Sequence, residues 1–357
     1  MSVTIKDIAR AAGVSHATVS RALHDHPAIS PETVKRIRVI AAEMGYLPSA
    51  VARSLVNRRS QALGVILNYL DDPFFSRVLE GIEDALQPQG YSLFVAASRQ
   101  DADRERAIVR AMLERRVDGV ILCAPPLLPE HGRRFREYGL PLTVVNNQDA
   151  EDYQFSIYHD DRFGAAQVAR HLVDLGHCRI AYLGNSAAGR TERDRSDGYQ
   201  AEIQAAGLPA LEGYLYHEPG GRPEEGYRAA QHFVQLTEPP TAIMCFNDMM
   251  ALGLLRGLQE MGLAIPRDCS VAGFDDVDIA AYTQPPLTTF HQPKYRLGAE
   301  AARLMLHLLS LPPGGRLRSG ADVDVQPQVI VLRGRLLVRA STAGPMLRMN
   351  SSSDPMA

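Results

Sequence analysis

The first 45 residues carry three short patterns of apolar residues at helical spacing. Thr4 and Asp7 form a capping box at the start of the first pattern, and Gly13 supplies the permissive backbone that ends it. Ser15 caps the second pattern, and Ser30, which a proline follows, opens the third. Two short helices joined by a tight glycine turn and braced by a third helix make a helix-turn-helix.

The polar face of the second helix is suited to DNA, because in this motif that helix lies in the major groove. His16 and Arg21 can donate to guanine, and Ala17 can contact a thymine methyl. Neighbouring hydroxyls are suited to phosphate contacts, which position the protein without reading sequence. We predict a DNA-binding head at residues 1–47, the alternative being a small helical bundle with an incidental polar face. The predicted phosphate-contacting residues are Thr4, Ser15, Thr18 and Ser20.

Residues 48–61 are interpreted as a short helix followed by a polar linker. Val51 and Leu55 lie on one side of a helix of about two turns, which is too short to be stable alone in water. Such a helix can fold on DNA, with Leu55 wedged into a base step in the minor groove. The alternative is a frayed linker with an incidental leucine. The predicted DNA contacts of this segment are Val51, Ala52 and Leu55.

From residue 62 to about 344, continuous apolar runs alternate with amphipathic helical patterns. This alternation predicts α/β structure with parallel sheets covered on both faces. The runs are too numerous for one sheet, so we predict two similar halves with seams near 160 and 290, and a disordered tail at 345–357. The predicted strands are 63–67, 92–97, 119–124, 142–146, 179–184, 241–246 and 270–275. The predicted helices include 75–86, 104–115, 163–175 and 249–261.

Amides and carboxylates follow three of the predicted strands. Ligands bind at the carboxyl ends of parallel strands, so Asn146, Asn247 and Asp275 are predicted to form a set that binds hydroxyl groups. Side chains at strand ends can instead cap the next helix, and we assign that role to Asp248 and Asp276.

Two further positions are candidates for ligand contacts. Arg195 can clamp ligand hydroxyls, the alternative being a surface ion pair with Asp194 or Asp197. Phe74 and Phe75 are adjacent on a predicted helix, so they are not both expected to face the core, and one can stack on a ligand.

Charge is distributed unevenly along the chain. Residues 1–60 hold nine basic and four acidic residues, a net charge of +5, while the whole chain has −3. A basic head on an acidic body indicates a polyanionic partner, although a solvated surface is the simpler alternative.

Several functional classes are disfavoured. No phosphate loop or dinucleotide fingerprint is present, and Tyr158–Asp161 is interpreted as loop and cap rather than a metal site, so we expect no enzyme, no cofactor and no metal. The four separated cysteines are expected to be buried, and with no membrane span or secretory leader we expect a cytoplasmic protein.

The segment TIKDIARAAGVSHATVSRALHDHPAISPETVKRIRVIAAEMGYLPSAVARSL resembles the LacI/GalR family of bacterial repressors almost residue for residue. The resemblance continues to about Ala343. It implies a homodimer that binds a near-palindromic operator, with Leu55 as the minor-groove wedge. It also implies a periplasmic-binding-protein fold of two Rossmann-like halves joined by three crossovers. The base-reading positions that it implies are His16, Ala17 and Arg21.

The resemblance also implies effector-binding positions in the body. One departure is Gly221, which lies where several relatives have an aromatic residue that stacks on the ligand. Without an aromatic ring at this position, the implied site has room for a larger saccharide. The implied effector-binding residues are Phe74, Asn146, Thr191, Arg195, Asn247, Asp275 and Gln292.

We therefore expect an allosteric repressor of carbohydrate-utilisation genes that a small sugar releases from its operator. The alternative is a corepressor-type regulator that responds to a non-sugar metabolite such as a purine. The rival classes are a carbohydrate transport-binding protein, which the basic head disfavours, and a metabolic enzyme. No leucine heptad is found in the tail, so a dimer is the expected assembly.

Overall fold

A computed structural model describes residues 3–23, 25–46, 59–124, 137, 140–146, 155–311 and 328–346. The chain divides into two compact units, Met1–Ser60 and Gln61–Ala357. The whole of the predicted hinge helix (48–55) and the tail beyond Met346 lie outside the described residues. Those two expectations therefore stay predictions.

The first unit, here called the head, contains three helices around a small apolar core. Thr4 and Asp7 form the predicted capping box, and Gly13 ends the first helix in the left-handed conformation, with φ of 66°. Ser30 accepts a hydrogen bond from the Thr33 N–H, which starts the third helix. The fully buried side chains include Ile8, Val19 and Ile37. The helices are α1 (Ile5–Ala12), α2 (His16–Leu23) and α3 (Pro31–Glu43).

The second unit contains two lobes, each built on a six-stranded sheet. The first sheet has the order β11-β5-β4-β3-β1-β2, with every neighbouring pair parallel. Its strands are β1 (Ala62–Leu67), β2 (Ser92–Ala97), β3 (Gly119–Cys123), β4 (Leu142–Val145), β5 (Phe155–His159) and β11 (Gln328–Leu332). The helices of this lobe are α4 (Pro73–Leu86), α5 (Ala102–Glu114) and α10 (Lys294–Ser310), with a 3₁₀ turn at Gln87–Gln89.

The second lobe repeats this arrangement with one exception. Its sheet has the order β12-β10-β9-β8-β6-β7, and only β12 runs antiparallel to its neighbour. Its strands are β6 (Ile180–Asn185), β7 (Leu215–Glu218), β8 (Ala242–Cys245), β9 (Ser270–Asp275), β10 (Thr288–His291) and β12 (Arg335–Leu337). Its helices are α6 (Asp161–Asp174), α7 (Arg190–Ala205), α8 (Pro223–Gln235) and α9 (Asp248–Glu260), with a 3₁₀ turn at Asp278–Tyr282.

The chain crosses between the lobes three times. The first crossover follows β5, the second lies between β10 and α10, and the third joins β11 to β12. Helix α10 packs against α4 so closely that a Cβ atom at Gly298 would lie 1.9 Å from the Val78 carbonyl oxygen. This contact anchors the returning chain to the first lobe.

The predicted fold class, a helix-turn-helix head with a two-sheet α/β body, is confirmed. All seven predicted strands are present with shifts of at most one residue at an end. Five strands were missed: β5, β7, β10, β11 and β12. Three of these, β7, β11 and β12, lie at sheet edges. Strand β7 (LYHE) lacks the continuous apolar run that marks a buried parallel strand, whereas β11 carries such a run at 329–332 and was overlooked.

Candidate functional site

The exposed face of α2 carries the three residues that are predicted to read bases. Ser15 accepts a hydrogen bond from the Thr18 N–H at 3.1 Å, which fixes the start of the helix. Val19 and Ala22 are fully buried in the head core, so the opposite side of α2 faces outward. The exposed residues on that side are His16, Ala17 and Arg21.

The hydroxyls predicted to contact phosphates also take part in helix caps. The Thr4 hydroxyl donates to Asp7 at 2.6 Å, and the hydroxyls of Ser15 and Thr18 are 2.9 Å apart. Ser20 is half-buried. A hydroxyl that binds a phosphate at the N-terminus of α1 or α2 would therefore also take part in the helix cap. The predicted contacts of Val51, Ala52 and Leu55 lie outside the described residues.

A cleft of about 600 Å³ lies between the two lobes of the second unit. Its walls include the carboxyl ends of β4, β6, β8 and β9. The volume is within the range of small-molecule sites, roughly 300–1,000 Å³. All seven predicted effector-binding residues line it: Phe74, Asn146, Thr191, Arg195, Asn247, Asp275 and Gln292.

Arg195 lies in the wall of this cleft with only 3% of its surface exposed. Its Nε donates to Asp161 at 2.8 Å, its Nη1 donates to the Phe246 carbonyl at 2.5 Å, and its Nη2 is 3.6 Å from Asp275. The Phe274 ring centroid is 3.9 Å from the guanidinium carbon. Burial acts to lower the pKa of Arg195, but the two carboxylates outweigh it and raise this pKa.

The segment Tyr158–Asp161, which we interpreted as loop and cap, contains the cap but no loop. Tyr158 and His159 belong to β5, and the Asp160 side chain caps α6 by accepting from the Phe163 N–H at 3.1 Å. Asp161 opens α6 and binds Arg195, so the surface ion pair considered for that arginine is absent. The sequence gives no local sign of this pairing, because the two residues are 34 positions apart.

Asp275 ends β9 and is buried beside the second crossover. Gln292 Nε2 donates to its Oδ1 at 2.5 Å, and the Lys294 ammonium donates to its backbone carbonyl. Burial raises the pKa of Asp275 to about 7, against the opposing effect of Arg195. Near neutral pH this carboxyl can therefore either donate or accept a hydrogen bond.

A second carboxyl lines the cleft from the first lobe. Asp72 caps α4 by accepting from the Phe74 N–H at 2.9 Å. Burial raises the pKa of Asp72 to about 6, and the charge of Asp72 in turn raises the pKa of Asp275. The two lobes are therefore electrostatically coupled across the cleft.

Two buried amide oxygens of the cleft wall have no hydrogen-bond partner among the described residues. They are Asn146 Oδ1 and Gln292 Oε1. Asn146 has a left-handed backbone, with φ of 52°. A buried acceptor without a donor is costly, so both oxygens are candidates to accept hydrogen bonds from a ligand.

Asn247 lines the cleft as predicted and also takes the capping role that we assigned to Asp248. Asn247 caps α9, its Oδ1 accepting from the Met250 N–H at 2.8 Å while its Nδ2 donates to the Gly221 carbonyl at 2.9 Å. Asp248 is fully buried and accepts from the Thr289 hydroxyl at 2.5 Å. Asp248 is the first residue of α9, and its contact with Thr289 ties this helix to β10. The prediction that Asp248 caps the helix is therefore wrong.

Asp276 is also not an N-cap. Its carboxylate accepts from His291 Nδ1 at 2.8 Å and from the Arg339 guanidinium at 2.6 Å. Although burial acts in the other direction, these two donors help to lower the pKa of Asp276 to about 2. This ion pair ties β9 to the segment that follows β12.

Phe74 and Phe75 both face inward, contrary to the prediction that only one would. Each is 5% exposed, and their rings are perpendicular with centroids 5.1 Å apart. Both line the cleft and both pack in the core of the first lobe, because the first turn of α4 lies where the core meets the cleft.

Other lining residues escaped the sequence analysis. Asn68 follows β1 and Asn185 ends β6, so the strand-end signal that identified Asn146 could have found them. A Cβ atom at Gly221 would lie 3.0 Å from the Nδ2 atoms of Asn185 and Asn247, so a larger residue there would crowd both amides. The remaining missed residues include Tyr69, Asp71, Asp72, Ser186, Arg222, Phe246 and Met249.

Within the described ranges, no group of histidine, cysteine or acidic residues could hold a metal ion. In the same residues, no helix combines the length and apolar character needed to span a membrane. Cys178 is exposed, contrary to the expectation for the cysteines, whereas Cys123, Cys245 and Cys269 are buried.

Comparisons with known proteins agree with this two-part architecture. The family described as bacterial regulatory proteins, lacI family, matches residues 4–49, and the periplasmic binding protein-like domain matches residues 169–342. The HTH-type transcriptional repressor PurR of Actinobacillus pleuropneumoniae serotype 3 (strain JL03) is 30% identical over 338 residues. That alignment covers 95% of this chain and 98% of the relative.

Two solved structures extend the likeness to the fold. The lac repressor dimer bound to operator and the anti-inducer ONPF has a TM-score of 0.83 and 26% identity, covering 96% of this chain and 100% of that one. The complex of the transcriptional regulator CelR with cellobiose has a TM-score of 0.71 and 25% identity. It covers 95% of this chain and 99% of that one.

Proposed function

The chain belongs to the LacI family of bacterial regulatory proteins and is a DNA-binding transcriptional repressor, and we propose that a purine base controls its binding to operator DNA. In this proposal a homodimer binds a near-palindromic operator, and the purine occupies the cleft as a corepressor. The sugar effector that the sequence first indicated becomes the second candidate.

The observation that carries the purine assignment is the similarity to PurR along nearly the whole chain. PurR denotes a purine repressor, and the Actinobacillus protein is 30% identical over 95% of this chain. The CelR–cellobiose complex, which favours a sugar, is 25% identical.

The chemistry of the cleft supports a flat heterocycle. Tyr69, Phe74 and Phe246 supply aromatic surface on both lobes, against which a purine ring can stack. The unpaired oxygens of Asn146 and Gln292 can accept from purine N–H groups. Asp275, with a pKa of about 7, can serve a ring nitrogen as donor or a ring N–H as acceptor.

Corepression is expected if the ligand contacts residues of both lobes at once. A purine held by residues of both lobes stabilises one arrangement of the second unit. If the operator binds that arrangement, ligand and DNA strengthen each other's binding by the same factor. The exposed His16, Ala17 and Arg21 then read bases, while the basic charge of the head provides general attraction to DNA.

The test begins with thermal unfolding of the full-length protein. Adenine, guanine and hypoxanthine are compared with ribose, galactose and cellobiose. A true ligand at about 100 times its Kd stabilises the protein by about 2.7 kcal/mol. We expect at least one purine, and no sugar, to raise the melting temperature.

The stabilising ligand is then tested on DNA from upstream of the protein's own gene by gel shift. A purine should tighten specific binding by about 5–150-fold, the usual range of allosteric coupling. Gln292→Met should abolish that effect, while Gln200→Met, on the exposed face of α7, should not. A sugar that stabilises the protein and loosens DNA binding would favour the second candidate.

A further inference from the structure

A buried histidine connects two of the three segments at which the chain crosses between the lobes. His159 ends β5 and is 1% exposed. Its Nε2 accepts a hydrogen bond from the Gly334 N–H, at 3.1 Å, in the third crossover. Phe274 and Phe290 of the second lobe contact the imidazole edge-on, with centroid distances of 5.8 and 5.4 Å. Both lobes therefore hold this side chain.

The contact with Gly334 fixes which imidazole nitrogen carries the proton. The backbone N–H donates, so Nε2 of His159 is the bare nitrogen and Nδ1 carries the hydrogen. Within the described part of the chain, Nδ1 has no hydrogen-bond partner, and it is 3.8 Å from Asp161 Oδ1. That distance is too long for a hydrogen bond, but in a buried environment the N–H dipole still acts on the carboxylate.

Asp161 continues the connection to the cleft. It accepts from Arg195 Nε at 2.8 Å, and the other end of that guanidinium is 3.6 Å from Asp275. Asp275 accepts in turn from Gln292, which lies in the second crossover. A chain of buried polar groups therefore begins at Gly334 in the third crossover and passes through His159 and Asp161 at the first crossover. It then reaches Arg195 and Asp275 in the cleft wall and ends at Gln292 in the second crossover.

We propose that His159 is a positioning residue that transmits the arrangement of the crossovers to the ligand-binding guanidinium of Arg195. When the lobes rotate about the crossovers, Gly334 moves with its segment and displaces the imidazole. The distance from Nδ1 to Asp161 then changes, and with it the orientation of the carboxylate that holds Arg195. The inference rests on the proposed function, since it takes Arg195 to be part of the ligand site.

A measurement on the ligand-free protein tests the local step. The full-length protein is labelled with [¹⁵N]arginine, and Arg195→Lys identifies the Arg195 Nε–H signal. In His159→Leu we expect this Nε–H to exchange with solvent at least about 10-fold faster, because its partner Asp161 is less restrained. His159→Gln offers both an amide acceptor and an amide donor, and should stay within about 3-fold of the parent rate.

The same spectra contain an internal control. Arg170 Nε donates to Glu202 at 2.9 Å on the surface of the second lobe, and its exchange should not change in any variant. His159→Met fills the space with a flexible apolar side chain and replaces His159→Leu if that variant does not fold. Unchanged exchange of Arg195 in the apolar variant would overturn the proposal.

The second measurement follows the coupling itself. The coupling is measured as the operator Kd without hypoxanthine divided by the operator Kd with hypoxanthine. This ratio should be at least about 5-fold lower in the apolar variant than in the parent protein, and His159→Gln should restore the parent value. Equal loss in both variants would show that only packing matters and would overturn the positioning role. If no purine alters operator binding by the parent protein, the proposed function fails, while the exchange of Arg195 still decides the role of His159.

Discussion

Two arginines show how differently the two units of this protein use charge. Arg21 lies on the outer face of α2 and is exposed to solvent. Arg195 is 3% exposed and is held by Asp161, a backbone carbonyl and two aromatic rings. The first is free to meet a partner, whereas the second already donates hydrogen bonds to Asp161 and to the Phe246 carbonyl and lies 3.6 Å from Asp275.

This difference determines what disturbs each unit. Salt screens exposed charges strongly and buried ones weakly, so ionic strength should act on the head. Removing a buried ion leaves its partners desolvated and unpaired, so mutation and pH should act on the cleft.

The largest effect should come from salt. With about 6–10 phosphate contacts, operator affinity falls about 10³–10⁵-fold between about 50 and 200 mM salt. Purine affinity should change by less than about 3-fold over the same range, because the cleft charges are buried. Fluorescence anisotropy with operator DNA and calorimetry with hypoxanthine measure the two slopes. Parallel slopes would abolish the distinction between the units.

Arg195→Ala should lower the free energy of unfolding by about 3–5 kcal/mol. The substitution leaves Asp161 and Asp275 buried without their shared cation. Arg170→Ala breaks an exposed pair with Glu202 and should cost less than about 1 kcal/mol. Urea unfolding compares the two, and equal losses would contradict the dominance of the buried network.

The pH dependence of stability should reveal Asp275. The pKa of its carboxyl is about 7 in the folded protein, against the ordinary value of 3.8 that applies to the unfolded chain. Between these two pH values the folded state therefore retains a proton that the unfolded state releases. This contribution is present below pH 3.8 and is lost as the pH rises to about 7, at about 1.4 kcal/mol for each pKa unit.

Comparison with Asp275→Asn tests this contribution together with the effect of Asp275 on its buried neighbour Asp248. His171 and His177 have lowered pKa values, mainly through burial, so they produce the opposite slope over part of the range, but they do so in both proteins. Between pH 4 and 7 the parent should therefore lose more unfolding free energy than the variant. Identical profiles in urea titrations would show that Asp275 is ionised throughout.

Arg21→Ala should cost about 1–3 kcal/mol at one base pair of each operator half-site and relax the preference there. Arg59 is one of the nine basic residues of 1–60, and Arg59→Ala should weaken binding to all sequences alike, because general charge attraction does not depend on base sequence. Binding to a set of single-base operator variants separates the two patterns. Uniform loss in both proteins would remove the distinction between reading and positioning residues.

Gly221→Ala should give the smallest effect. The new Cβ atom would lie 3.0 Å from the amide nitrogens of Asn185 and Asn247, so both amides must shift by a few tenths of an ångström. We expect ligand affinity to fall by about 2–5-fold, with unchanged ligand-free operator binding. Tighter ligand binding would instead show that the glycine leaves space that a side chain can fill.

The head could be predicted from the sequence because its signals are local. The capping box of Thr4 and Asp7, the turn at Gly13 and the cap at Ser15 each involve residues within a few positions of one another. In the second unit, the strand-end rule similarly led to Asn146, Asn247 and Asp275, all of which line the cleft. These features follow from periodicity and helix-end chemistry alone.

Local sequence was sufficient to find the three helices of the head, seven of the strands and the polar residues at the strand ends, because these features depend on neighbours in the chain. The packing of distant segments, in contrast, brings Asp161 to Arg195, 34 residues away, and makes Asn247 rather than Asp248 the cap of α9. It also placed His159 between two crossovers. The physical reason is that a buried polar group takes its partner from whatever the packing of distant segments brings within hydrogen-bonding distance.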